Sequence, residues 1–566
     1  MRVRTERCSD LNPLSRRLGG LKAGAWVGGT VPMVNQEHES LLDDTKRVEG
    51  HSALRDNVAA ANALADAVRS TLGPRGLDKL LVGEDGENLV TNDGVTVLET
   101  AQVEHPTAKM LISAASAQDR QALDGTTTTV LLTAELLQNG LELVERGVHP
   151  AVICAGWNMA QERAAADLLE LARAPSGDDD MLQAVRTALA GKIDEGVRET
   201  LSHLAVHAAR AIASEEGGDV RADPSLVKVI NDVGGGGRDT RLVPGLVLPK
   251  ERIHPDMPQQ REAGRIILFD GSLERRGLDI QANLKVTQTG MLAELHESER
   301  ADLSRRVQAL IDVGIDVLIV RDGVDDEARS MLNDAGITAY RRVEKPELDL
   351  LSRATGALMV HDVNNIRDDD IGEFSSLTEE NWHGVNHLII EGSAERGQTL
   401  VVRGTSDTRL EEMGRAFNDA LGVACGLLEE PSLLPGGGAT QVALARRLRA
   451  HARSIPGREQ LAVEAFAAAL EAVPRTLAEN AGLQPVDELI RLNAAQSSAE
   501  NDGDWIGLDL FAGEPRPMQE AGVTEPLRVT RTTLEGATEA AISVLRIDDV
   551  LWAKQDPTEP DWQDEQ

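Results

Sequence analysis

Aromatic residues are scarce in this chain of 566 residues: one Tyr, five Phe and six Trp amount to 2%. An interior that is 41% apolar overall must therefore be filled by Leu, Val, Ile and Ala, which favours helical packing. Cysteine is rarer still. Cys8, Cys154 and Cys425 lie far apart with no C-x-x-C pair, which excludes a disulfide framework and a cysteine zinc site and fits a reducing, cytoplasmic setting. No run of 18 apolar residues occurs, so no membrane-spanning helix is expected. Positive charge is also in deficit, with 58 Lys and Arg against 93 Asp and Glu, a net charge of -35. Such a surface repels nucleic acid and anionic membranes. Arg outnumbers Lys, and together with the acidity this suggests a halophilic cytoplasm, where the Debye length falls to about 3 Å at 1 M salt.

The length exceeds what one core supports and predicts three or four units. The N-terminus carries Arg2, Arg4, Arg7, Arg16, Arg17 and Lys22 but no apolar stretch behind them, so it reads as a flexible tail over 1–45 rather than a targeting segment, with Met33 an alternative start.

The most informative stretch is Asp124-Gly125-Thr126-Thr127-Thr128-Thr129, at the mouth of a helix. A helix start leaves about four N–H groups unpaired and about half a positive charge, which attracts an anion. Asp124 can then hold the Mg²⁺ that escorts a nucleotide, with the Thr hydroxyls on phosphate oxygens. A Thr-rich cap without any ligand has the same pattern.

Apolar residues at three- and four-residue spacing predict a helix over Leu54–Leu72, stopped by Gly73-Pro74. Leu80–Val82 and Leu89-Val90 predict a hairpin, followed by the turn Thr91-Asn92-Asp93-Gly94. Helices are expected over Thr107–Asp119, Thr127–Arg146 and from His149-Pro150 to Ala172, then to about Ala190 and over Ile193–Ser214, with a flexible joint at Gly234–Gly237. Strand-like Arg265–Phe269, Val317–Val320 and Ala357–Val360 alternate with helical Asp326–Ala335 and Lys345–Thr355, giving an α/β module. Within it, Val286–Ile311 is charged and helical, and Met291, Leu292 and Leu295 form either an exposed adhesive tip or ordinary packing. Leu388–Ile390 and Thr399–Val402 are expected to pair, and Thr408–Leu428 to form a helix bearing Asp419. Pro435–Ala439 opens another helix, Glu459–Leu492 and Leu534–Ala553 read as helical, and Leu527–Val529 as strand-like.

Taken together, Leu72-Gly73-Pro74-Arg75-Gly76, Thr91-Asn92-Asp93-Gly94, Asp124-Gly125-Thr126-Thr127-Thr128, Pro435-Gly436-Gly437-Gly438, Asn480-Ala481-Gly482 and Leu545–Val550 resemble, in order, the motifs of the group II chaperonins, the thermosome of archaea and its eukaryotic cytosolic relatives. The resemblance runs from about Leu54 to Ala553. It implies a multidomain α and α/β chaperonin fold: a mostly helical equatorial ATP-binding domain from 46–176 and 437–566, a small α/β intermediate hinge domain from 177–244 and 397–436, and an α/β apical substrate-binding domain over 245–396 with a helical lid protrusion about 284–311. It implies ATP and Mg²⁺, with K⁺ as a further cation, unfolded client proteins, and like or related subunits in a double ring. Residue by residue, it places Mg²⁺ on Asp124 and the hydrolytic water on Asp93 and Asp419, with Asp419 arriving on subunit closure. Leu72, Gly73, Pro74, Asn92, Gly94, Gly125, Thr126, Thr127, Thr128, Gly437, Gly438 and Glu525 would surround the nucleotide.

Three departures stand out. Leu123 occupies a position where the family usually has Gly, Arg75 replaces Lys, and Val320–Asp326 differs from the usual apical pattern. The leading expectation is an ATP-driven folding chamber; the alternative is a divergent ring subunit or scaffold that binds ATP or partners without completing hydrolysis.

Overall fold

The computed structural model describes residues 46–83, 88–101, 103–275, 291–394, 397–499 and 502–552. The expected tail over 1–45, the part of the expected protrusion before Met291 and the side chains of Met291, Leu292 and Leu295 lie outside what is described. Strands Lys46–Glu49 and Asp549–Trp552 pair antiparallel as one compact unit, and Gly50–Asp548 is the other. The expected terminal helix to Ala553 therefore ends at Leu545.

In the large unit, both ends of the chain build one helical core. Helices Gly50–Arg69, Pro106–Ala122, Thr126–Glu145 and Pro150–Leu171 pack with Ala439–Ala452, Glu459–Leu470 and Leu527–Leu545. The first buries Leu54, Val58, Ala61, Ala65 and Val68, the stripe its periodicity predicts. It stops at Arg69, three residues short of the prediction, because the next residues tighten into a turn: Thr71 N–H donates to Val68 O (3.0 Å) and Leu72 N–H to Arg69 O (3.4 Å). Leu527–Val529 is the first turn of a helix, not a strand; Pro526 at its N-cap pre-sets the start, and the β-branched residues inside it are overruled by burial against the core. The long helical stretch after Glu459 is broken into Glu459–Leu470, Ala472–Asn480 and Pro485–Ser498.

A second core joins helices Asp178–Ala188, Glu195–Ile212 and Asp407–Glu429 to a three-stranded sheet in which Gln398–Gly404 is central, parallel to Val227–Val233 and antiparallel to Arg241–Pro244. Gln398–Gly404 therefore does not pair with Leu388–Ile390 as expected. A strand buried on both faces needs a partner on each side, and both come from before residue 245. Gly234 is likewise no loose joint: its N–H donates to Gly404 O (2.8 Å).

Between these strands the chain builds an eight-stranded sheet whose main path runs Thr338–Tyr340, Val317–Val320, Gly264–Phe269, Gly372–Trp382, Val385–Gly392, Leu246–Leu248. Its first three strands are parallel, and Val317–Val320 is buried along its whole length. Helices Met291–Val313 and Asp326–Asp334 contribute to the core on one side, and Lys345–Thr355 to a second one. Among the described residues no helix is long and apolar enough to cross a membrane.

Candidate functional site

The turn that opens helix Thr126–Glu145 is built by two left-handed residues. Leu123 (φ 53°) caps helix Pro106–Ala122, its N–H donating to Asp119 O (2.8 Å), and Gly125 (φ 84°) is the N-cap of the next helix. The Leu123 conformation costs a non-glycine residue about 1 kcal/mol or more. Gln118 holds the turn from below, donating to Asp124 O (2.8 Å) and Val529 O (3.3 Å). The Gly125 N-cap offers no side-chain cap bond, so the first-turn N–H groups stay open to an outside anion. Thr129 is not available to a ligand, since its hydroxyl donates to Gly125 O (3.1 Å).

Gly94 faces this turn closely. A Cβ at position 94 would lie 2.5 Å from Thr127 Oγ1 and 3.1 Å from Thr126 Oγ1, so only glycine lets the second turn approach the first. Asp93 caps helix Gly94–Thr100, its Oδ2 accepting from Thr96 N–H (2.9 Å) and Thr96 Oγ1–H (2.6 Å). Asn92 is buried and donates to Gly191 O (2.8 Å), which fixes the Gly191-Lys192 corner rather than pointing outward. That corner also presses on Gly73 O and Pro74, and Asn480 Nδ2–H reaches Leu72 O (2.9 Å) and Arg69 O (3.0 Å) to clamp the Leu72–Pro74 loop.

Lys192 is the residue the sequence reading missed. Its Nζ lies 2.6 Å from Asp419 Oδ2 and 3.8 Å from Asp124 Oδ1. The three side chains are 19%, 16% and 28% exposed. Burial pulls the ammonium down, but Asp419, Asp124 and Asp93 overcome it and hold Lys192 above its ordinary value. Burial pushes Asp419 up to about 7; Lys192 opposes that rise, and Asp93 and Asp124 add to it. Asp119 is raised as well, by burial first and then by Asp93. The only signal for Lys192 in the sequence is a Lys after a helix-ending Gly, which is common, and the contact to Asp419 spans 227 residues.

On the other flank, Gly437 (φ 62°) and Gly438 (φ 74°) open helix Ala439–Ala452, with Leu508 N–H donating to Gly437 O (2.9 Å) and Pro474 packed against Gly438. Glu525 lies on a short strand beside Leu434; burial and then Asp124 push it up to about 7, while Thr530 and Gln441 hydrogen-bond its charged form. The fold thus brings Asp93, Asp124, Asp419 and Glu525 into one electrostatic field. Among the described residues no three His, Cys, Asp or Glu side chains converge to hold a metal by themselves. A single carboxylate, Asp124, beside an open helix start suits Mg²⁺ that arrives shared with phosphate oxygens, the usual way this ion is held.

Comparison with known proteins places the chain in a family. The model of the TCP-1/cpn60 chaperonin family matches residues 64–555. A thermosome subunit of Pyrococcus horikoshii is 39% identical over 518 residues, covering 91% of this chain and 94% of that protein. A thermosome subunit of Methanopyrus kandleri and a thermosome subunit beta of Archaeoglobus fulgidus are each 41% identical over the same length, with 91% and 94% covered. A family match across most of the chain, near-complete relatives at about two residues in five, and a mixed helical and strand architecture lead to one conclusion: the chain belongs to the TCP-1/cpn60 chaperonin family, as a group II chaperonin.

Proposed function

We propose that this chain is an ATP-driven chaperone subunit that works in the cytoplasm, in a double ring of like or related subunits, and encloses unfolded proteins beneath a built-in lid at about 284–311. The helical core shared by both chain ends serves as the equatorial domain, the Asp419 core as the hinge, and the eight-stranded sheet as the apical client-binding domain. The observation that carries the reading is the cation Lys192 held between Asp419 and Asp124 at the open start of helix Thr126–Glu145.

In this reading the phosphates enter the first turn of that helix, where Thr126–Thr128 N–H and hydroxyl groups bind them and the Gly94 backbone closes over them. Mg²⁺, held by Asp124 together with the phosphates, neutralises charge on them when bound. Leu72–Pro74 and Gly437-Gly438 border the nucleoside, with Glu525 at the ribose. Lys192, set between Asp419 and Asp124, would offset charge on the phosphates while it stays paired with Asp419. Asp419, pushed up to about 7, then has the basicity that general-base assistance needs near neutral pH, with Asp93 orienting the same water. Because Asp419 sits on a different core from Asp124, hydrolysis depends on how those two bodies meet, which couples ATP to closure.

The test is steady-state ATPase with nucleotide binding. Asp419→Ala should bind ATP with near-native affinity and lose turnover by about 10²- to 10⁴-fold, the range general-base removal gives. Asp124→Ala should weaken Mg·ATP binding itself. Near-native turnover in Asp419→Ala would refute the assignment. One observation favours the alternative of a subunit that binds ATP without hydrolysing it: the Asp419 carboxylate is tied to Lys192. Intact native rings with bound ATP and no turnover would decide for it.

A further inference from the structure

We infer that Leu123 is a positioning residue that seats the Asp419 helix against the Asp124 turn. This rests on the ATPase reading above for its kinetic consequence, but the contact itself does not. Leu123 immediately precedes Asp124, and its left-handed backbone (φ 53°, ψ 17°) turns the side chain across to helix Asp407–Glu429. There it meets Gly422, three residues after Asp419 and so within one turn of it. A Cβ built on Gly422 would overlap Leu123 Cδ1 and Cβ and lie 2.9 Å from its Cγ. The leucine is therefore a knob seated in a notch that only glycine provides. A cavity of about 240 Å³, lined by Leu123, Gly422, Val423, Cys425, Gly426 and Val529, borders this contact. One residue before Asp124 thus touches one residue three after Asp419, and this fixes the spacing that lets Lys192 bridge the two carboxylates.

This gives the departure from glycine at position 123 a physical use. The strained backbone is offset by a contact that glycine cannot make, and Gly422 is its complement.

The test is a double-mutant cycle on the full-length protein, read both as thermal midpoint without nucleotide and as ATP turnover. Because the overlap includes the Leu123 Cβ, Leu123→Ala should not make room for a methyl at 422, whereas Leu123→Gly should. Gly422→Ala alone should lower the thermal midpoint and cut kcat at least tenfold, with KM for ATP within threefold. Leu123→Gly/Gly422→Ala should regain most of both, and Leu123→Ala/Gly422→Ala should regain neither. Leu123→Gly alone should lower kcat severalfold at unchanged KM. Additive midpoints in the cycle would overturn the contact. A coupled midpoint with kcat indifferent to all four variants, in a native chain that does turn over, would overturn the positioning role. If the native chain shows no turnover the ATPase reading falls by itself, and the midpoint cycle still judges the contact. If Gly422→Ala does not fold alone, refolding on addition of Leu123→Gly supports the contact, and failure to refold overturns it.

Discussion

Lys192 and Asp419 should make the hydrolytic rate depend on pH in a way that reports their separation. Asp419 sits in a half-buried position facing Lys192, and burial, with Asp93 and Asp124 adding negative charge, pushes its carboxyl up to about 7. As a base it works only when ionised. For a midpoint near 7 the ionised fraction is about one-tenth at pH 6 and about nine-tenths at pH 8, so kcat should rise roughly tenfold over that interval. Removing the cation while keeping its length, Lys192→Met, deletes the main influence that lowers Asp419; the carboxyl rises further, and the rate curve moves to higher pH. Phosphate release at saturating ATP, in molar KCl from pH 5.5 to 9, reads both curves, with Asp419→Asn as control. A flat native profile between pH 6 and 8, or a Lys192→Met curve displaced to lower pH, would refute the reasoning.

Two further outcomes test other parts of the structure. Glu525 is raised to about 7, so the stability its neutral form allows is fully present below the ordinary carboxylate value and lost as pH rises through about 7. Glu525→Gln should therefore raise the thermal midpoint at pH 8 more than at pH 5; equal changes at both would sink the assignment of a buried, raised carboxyl. The net charge of -35 predicts a midpoint that climbs by many degrees between dilute buffer and 2 M KCl, as screening contracts the range of self-repulsion; equal midpoints in the two would remove the halophilic reading.

Much of the local structure is legible because its causes are local. The stripe Leu54, Val58, Ala61, Ala65, Val68 needs only the helical period, and Gly73-Pro74 ends the segment by its own chemistry. His149-Pro150 marks a helix start for the same reason. Where partners are distant, local signals fail. Gln398–Gly404 looks like half of a hairpin with Leu388–Ile390, yet it takes a parallel partner some 170 residues earlier, since a fully buried strand is stabilised by whichever two neighbours cover it. Leu527–Val529 carries strand-forming residues but follows Pro526 into a helix whose burial outweighs propensity.

The candidate site divides the same way. Asp124-Gly125-Thr126 marks a helix start that could take an anion, and the order of motifs declares the family, because both are written along the chain. The electrostatics are not written there. Asp93, Asp124 and Asp419 are isolated acids in sequence, and their shared counter-ion Lys192 is separated from Asp419 by 227 residues and from Asp124 by a different core. Even Leu123, legible as an oddity, gains its meaning only from Gly422 across the joint. Charge coupling and steric fit depend on distances between elements, and those distances exist only once the cores have packed.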